Sequence, residues 1–148
     1  MKQTMDHILI SIATTIGLRI IPEIPETSYA LGDAKMVGGL AVLLAQEVDR
    51  AADVLAQENA ALRAMFASAA LLPIGDLSGR LAEAGASSDA NLRVSVLEAG
   101  NASLKTLLID LHTLVEVSDA AWAGDVNQRI WAILKQGVED RVLILPSI

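Results

Sequence analysis

The sequence predicts an all-α fold, a helical bundle of four or five helices with two long antiparallel helices. Three observations carry that expectation. First, 53% of the 148 residues are apolar, above the roughly 45–50% of ordinary globular chains, yet the aromatic set is only Tyr29, Phe66, Trp122 and Trp131. Ala and Leu take their place, and both are strong helix formers. Second, no proline lies between residues 26 and 70. There Leu31, Val37, Leu40, Leu44, Val48, Leu55, Leu62 and Phe66 recur at spacings of three, four, six or seven residues, as the face of a helix requires. Third, an asparagine recurs in one apolar setting, in "AQENAALR" (56-63) and "EAGNASLK" (98-105).

Taken in order, residues 4-20 read as a short apolar helix, with strand left open by the β-branched run at 8-16. Pro22 and Pro25 in "IIPEIPE" stop it, and Pro25 is placed to open the next helix. That helix, 26-70, either kinks at Gly38-Gly39 or projects from the domain. Pro73 and Gly75 end it, and a short helix at 76-84 follows with Asp76 able to cap it. "GASSD" (85-89) is a turn offering Ser and Asp as N-caps to a long helix at 89-117. Ser118 or Asp119 then caps a last helix at 119-143, whose apolar stripe is Trp122, Val126, Ile130, Ile133 or Leu134, and Val138. "LILPSI" is an extended tail. All of this fits one domain spanning 1-148, long enough to bury a core.

With Asn59 at a heptad a position, the surrounding seam is Val48, Ala52, Leu55, Leu62 and Phe66. With Asn101 likewise, it is Val94, Leu97, Leu104, Leu108, Leu111 and Val115. A lone a-position Asn fixes register and oligomeric state at some loss of stability. Three readings stand: two related helices packed antiparallel within one chain, pairing with a symmetry mate in a homodimer, or a chance match in Ala/Leu-rich helices. Asn59, Leu62, Phe66, Asn101, Leu104 and Trp131 are the expected interface residues. Trp131 joins them because it lies nine positions after Trp122, near the opposite face of the same helix, so one Trp is core and the other is surface or interface.

The formal net charge is −7, and no cluster of Lys and Arg provides the basic footprint that nucleic acid requires. Without cysteine, disulfides and thiolate metal sites are excluded. The uncharged runs "ILISIATTIGL" (8-18) and "MVGGLAVLLAQ" (36-46) are each shorter than the roughly 20 residues of a spanning helix. Asp6 and "RIIPEIPE" also fit a signal peptide poorly. A cytoplasmic location and no membrane span are therefore expected.

Catalytic motifs are sparse. His112 and Glu116 share a helix face at i and i+4, with Asp110 nearby, and are the weak candidates for a metal or a proton. Edge-of-seam placement is the plainer account, and no Glu-x-x-His of the di-iron type occurs. Glu47, Asp49, Asp53 and Glu58 alternate with Arg50 and Arg63, the pattern of a solvated helix face. "GDLSG" (75-79) has the wrong order for a nucleophile elbow, and no phosphate-binding glycine loop is present.

The short apolar helix, "IIPEIPE" and the long helix carrying "QENAALR" resemble an uncharacterised all-helical bacterial family. Its members tend to be encoded near aminoglycoside-phosphotransferase-like and acyl-CoA dehydrogenase-like proteins. The resemblance covers mainly residues 8-66, with a looser echo in 91-117, and implies fold and pathway context but no catalytic residue. The expectation is a non-catalytic, self-associating interaction or accessory protein, a dimer without cofactor and able to dock onto an enzyme. The alternative is a helical bundle that holds a small apolar or acyl ligand, with Tyr29, Trp122 and Trp131 as possible cavity linings.

Overall fold

A computed structural model describes residues 3–145, and the end of the "LILPSI" tail lies outside them. Five α-helices follow in order: α1 (Met5–Thr15), α2 (Tyr29–Ala69), α3 (Leu77–Ala86), α4 (Val94–Glu116) and α5 (Ala123–Glu139). No strand occurs among the described residues, so the strand alternative for the first segment falls. The two long helices are α2, of 41 residues, and α4, of 23.

The chain divides into two compact units. The larger one, residues 52–141, is a bundle made from the end of α2 with α3, α4 and α5. Its core joins Leu62, Met65, Phe66 and Ala69 of α2 to Leu104, Leu107, Leu108 and Leu111 of α4 and to Val126 and Ile130 of α5. Leu81 of α3 and Ile74 of the α2–α3 turn complete it. The glycine of that turn, Gly75, has a φ of +63°, a conformation that L side chains resist.

Helix direction in this unit corrects the antiparallel expectation for α2 and α4. Glu58 and Asn59 of α2 meet α4 between Leu97 and Lys105. At the end of α2, the Ser78 hydroxyl donates to the Ala70 carbonyl, and Arg80 on the same short helix pairs with Asp110, far along α4. Both helices therefore advance together. The physical reason is α3, which returns the chain so that α4 restarts alongside α2 in parallel. α5 runs the opposite way, from His112 at Asn127 back to Glu58 at Arg141.

The smaller unit comprises residues 1–51 and 142–148, of which the described part contains α1, the first half of α2 and residues 142–145 of the tail. After α1 the backbone continues through a π-turn at Ile16–Ile20 and a 3-10 turn at Ile21–Glu23. Pro25 sits in the connecting turn rather than opening α2, and the Ser28 hydroxyl accepts the Ala30 N–H instead. Gly38 and Gly39 do not interrupt α2, which is assigned helical from Tyr29 to Ala69. They serve close approach: a Cβ on Gly38 would stand 3.3 Å from Ile16 Cγ2. The tail is tied by Gln46, which donates to the Ile144 carbonyl and accepts its N–H, and by Arg50, which donates to the Val142 carbonyl.

Two glycines on α3 make opposite demands. A Cβ on Gly85 would stand 2.8 Å from the Ala67 backbone nitrogen and 2.9 Å from its Cα, whereas a Cβ on Gly79 meets nothing within 4 Å. Gly79→Ala is expected to stabilise the protein by about 0.5–1 kcal/mol through helix propensity. Gly85→Ala is expected to destabilise it by about 1–3 kcal/mol through backbone overlap. Urea unfolding of the two variants checks the contrast in sign.

Candidate functional site

The largest polar assembly in the bundle unit is built on the two asparagines. Asn59 is fully buried and Asn101 is 6% exposed. The Asn101 amide donates to Asn59 Oδ1 at 2.9 Å and to Glu58 Oε2 at 2.8 Å. The Asn59 amide donates to the Leu97 carbonyl and to Asp89 Oδ1, both at 3.1 Å. Parallel helices at constant register bring equivalent positions together, so the 42-residue offset of the two motifs places one asparagine opposite the other.

Two charged clamps flank the amide pair. Arg63 grips Asp89 with two nearly parallel hydrogen bonds of 2.7 and 2.8 Å, the strong bidentate geometry. Glu58 receives Lys105 at 3.0 Å and Arg141 at 2.5 Å. Gly137 gives the carboxylate room, because a Cβ there would stand 2.8 Å from Glu58 Oε1. Burial pushes the Glu58 carboxyl up, but the hydrogen bonds and charges of Arg141 and Lys105 prevail and hold it below its ordinary value. Asp89 is likewise held low, first by the Arg63 hydrogen bonds against the opposing effect of burial.

Several expectations change here. Glu58 belongs to this buried assembly and not to the solvated face on which Glu47, Asp49 and Asp53 lie. Asp89 does not cap α4, whose first turn follows Arg93, and Asp76 makes no capping hydrogen bond to α3. Asn59, Leu62, Phe66, Asn101 and Leu104, expected as interface residues, are covered by helices of their own chain. Of that set only Trp131, at 57% exposure, stands at the surface, while Trp122 packs against the core.

His112 is half-buried at the α4–α5 seam. Its Nε2 lies 3.1 Å from Asn127 Oδ1 and 3.6 Å from Glu116, and its ring meets Trp131 edge to face. Asp110 is turned to Arg80, so the three candidate groups do not converge on one point. Among the described residues, no three His, Asp or Glu side chains are placed to hold a metal. Tyr29 is 97% exposed.

The smaller unit carries the opposite kind of surface. On α2, Val37, Leu40, Leu44 and Val48 are each about half exposed and fall within one narrow face at helical spacing. On α1, Ile8, Ile10 and Ile12 are also exposed, beside a face carrying His7, Ser11 and Thr14. Residues Met5–Glu23 form 19 helical residues of mean hydropathy 1.3 with none buried, long and apolar enough by length and composition to cross a membrane. Counting uncharged runs alone stopped at Leu18, before Arg19, and so understated this segment. No protein-family model, curated protein or solved structure matches the chain.

The Glu58 and Asp89 clamps give stability a defined pH dependence. A carboxyl whose folded pKa is depressed contributes stability above its unfolded value, near 4.5 for Glu58, and loses it as pH falls through the lower folded value. Glu58→Gln is expected to destabilise the protein by about 1–3 kcal/mol at pH 7. The gap to the native protein should narrow below about pH 4.5. Chemical denaturation between pH 3 and 7 reads it; a gap independent of pH contradicts the assignment.

Proposed function

We propose that the chain is a non-catalytic helical interaction module that self-associates through its N-terminal unit. The observation that carries the reading is the unpartnered stripe of Val37, Leu40, Leu44 and Val48 on α2. Single exposed apolar residues are ordinary, but a contiguous apolar face on a folded unit marks an interaction surface.

A second copy is the occupant this stripe fits. In a two-fold pairing, one patch must complement itself. Two α2 helices crossing antiparallel about a point between Leu40 and Leu44 set Leu40 against Leu44 and Val37 against Val48. No charged residue stands between Lys35 and Glu47, so the centre of such a pair contains no like-charge contact despite the acidic balance of the chain. Ala34, partly exposed, borders the stripe and permits close approach of the helices. The bundle unit would then serve as the folded body that the pair presents, with Trp131 as an exposed anchor for a further protein partner.

Sedimentation equilibrium of the full chain is the test. The native protein is expected to be dimeric at micromolar concentration. Leu44→Lys is expected to be monomeric with unchanged far-ultraviolet circular dichroism, since the replaced side chain is half exposed and supports no core contact. A native protein that stays monomeric at 100-fold higher concentration, or a Leu44→Lys dimer as tight as the native one, overturns the proposal.

A further inference from the structure

Within the smaller unit, α1 and α2 do not close completely on one another. A groove of about 330 Å³ runs between them, within the range of small-molecule sites. Its walls are Ile10, Thr14, Leu18 and Ile21 on one side and Gly38 and Val42 on the other. Gly17 leaves its floor open, as a Cβ there would meet nothing within 4 Å. The Thr14 hydroxyl already donates to the Ile10 carbonyl at 2.8 Å, so the groove offers a ligand almost no uncommitted polar group along its length.

The exception is Lys35, which lines the same groove. Because Ile16 packs on Gly38 and the chain reverses between them, Lys35 stands at the Leu18–Ile21 end and Val42 at the Ile10 end. No described carboxylate lies within 4.0 Å of the Lys35 ammonium. The other cations at a large cleft are already engaged: Arg63 and Arg80 border a 550 Å³ cleft of the bundle unit but are paired with Asp89 and Asp110.

We infer that this groove binds a single alkyl chain carrying an anionic head, the tail lying along Ile10–Ile21 and the head paired with Lys35. The eleven residue steps from Ile10 to Ile21 give the groove a length of about 16 Å, which suits a medium-length chain of roughly ten carbons. The apolar walls make the transfer of each buried methylene favourable, and the one cation selects the sign of the head. Lys35, Gly38 and Val42 lie roughly 100–160° around α2 from the Val37–Leu44 stripe, so occupation of the groove leaves the self-association face free.

Isothermal titration of the full chain with decanoate, held below its aggregation threshold, tests the inference. Saturable binding at one decanoate per chain is expected, with decyltrimethylammonium at least tenfold weaker. Gly17→Leu adds a Cβ that meets no protein atom within 4 Å, puts its side chain into the groove and raises helix propensity, so it is expected to fold as well as the native chain and to lose decanoate binding at least tenfold. Lys35→Gln, at an exposed position, is expected to weaken decanoate severalfold and to erase the preference over the cationic probe. Leu44→Lys is expected to bind decanoate like the native protein, which separates this site from the self-association face. Absence of saturable binding, or Gly17→Leu binding decanoate as tightly as the native chain, overturns the inference.

Discussion

The bundle unit depends on one constraint: two asparagine side chains buried between parallel helices must satisfy each other. An amide in an apolar seam loses its water, and leaving it unpaired is destabilising by about 1–3 kcal/mol. Asn59 and Asn101 avoid this only when α2 and α4 stand at a single register, because a slip of one turn moves each amide opposite a leucine. Glu58 and Asp89 extend the constraint to α5 and to the α3–α4 loop. Four chain segments are thereby held by groups that tolerate little displacement. Apolar packing of Leu62, Phe66, Leu108 and Ile130 supplies most of the driving force, but it would accept neighbouring registers far more readily.

The two units solve the problem of apolar surface differently. In the bundle, leucine seams find partners within the chain and the charged groups pair across them. In the N-terminal unit, a hairpin of two helices lacks enough surface to enclose its own apolar residues. The glycines of α2 draw α1 close on one side, yet the far face of α2 and much of α1 stay uncovered. The proposed second copy and the proposed ligand would each cover one of those separate faces.

Much of the helical order was legible in the sequence, because the signals that set it are local. Pro22, Pro25, Pro73 and Gly75 mark the breaks, and the expected boundaries fall within a few residues of the observed helices. The asparagine seam was legible as a seam, but a heptad pattern reads the same whether the facing helix runs parallel or antiparallel; the short return of α3 settles it, and no local signal states how far that return reaches. Glu58 was hidden among Glu47, Asp49 and Asp53, since only tertiary placement opposite Lys105 and Arg141 distinguishes a buried acid from a solvated one. Asp89 was hidden by its own setting, a Ser/Asp turn in which capping is the commoner use. The groove between α1 and α2 was illegible because its decisive feature is an absence of side chains at Gly17 and Gly38, which in sequence reads equally well as a kink.

A double-mutant cycle on the asparagine pair tests the central claim most directly. Asn59→Leu, Asn101→Leu and the double variant would be compared with the native protein by equilibrium unfolding. If the two amides hold the register by bonding each other, each single change leaves a buried amide short of a partner, and the double change destabilises by at least 0.5 kcal/mol less than the sum of the singles. Strict additivity, within about 0.3–0.5 kcal/mol, would show that the amides act independently and would contradict the account.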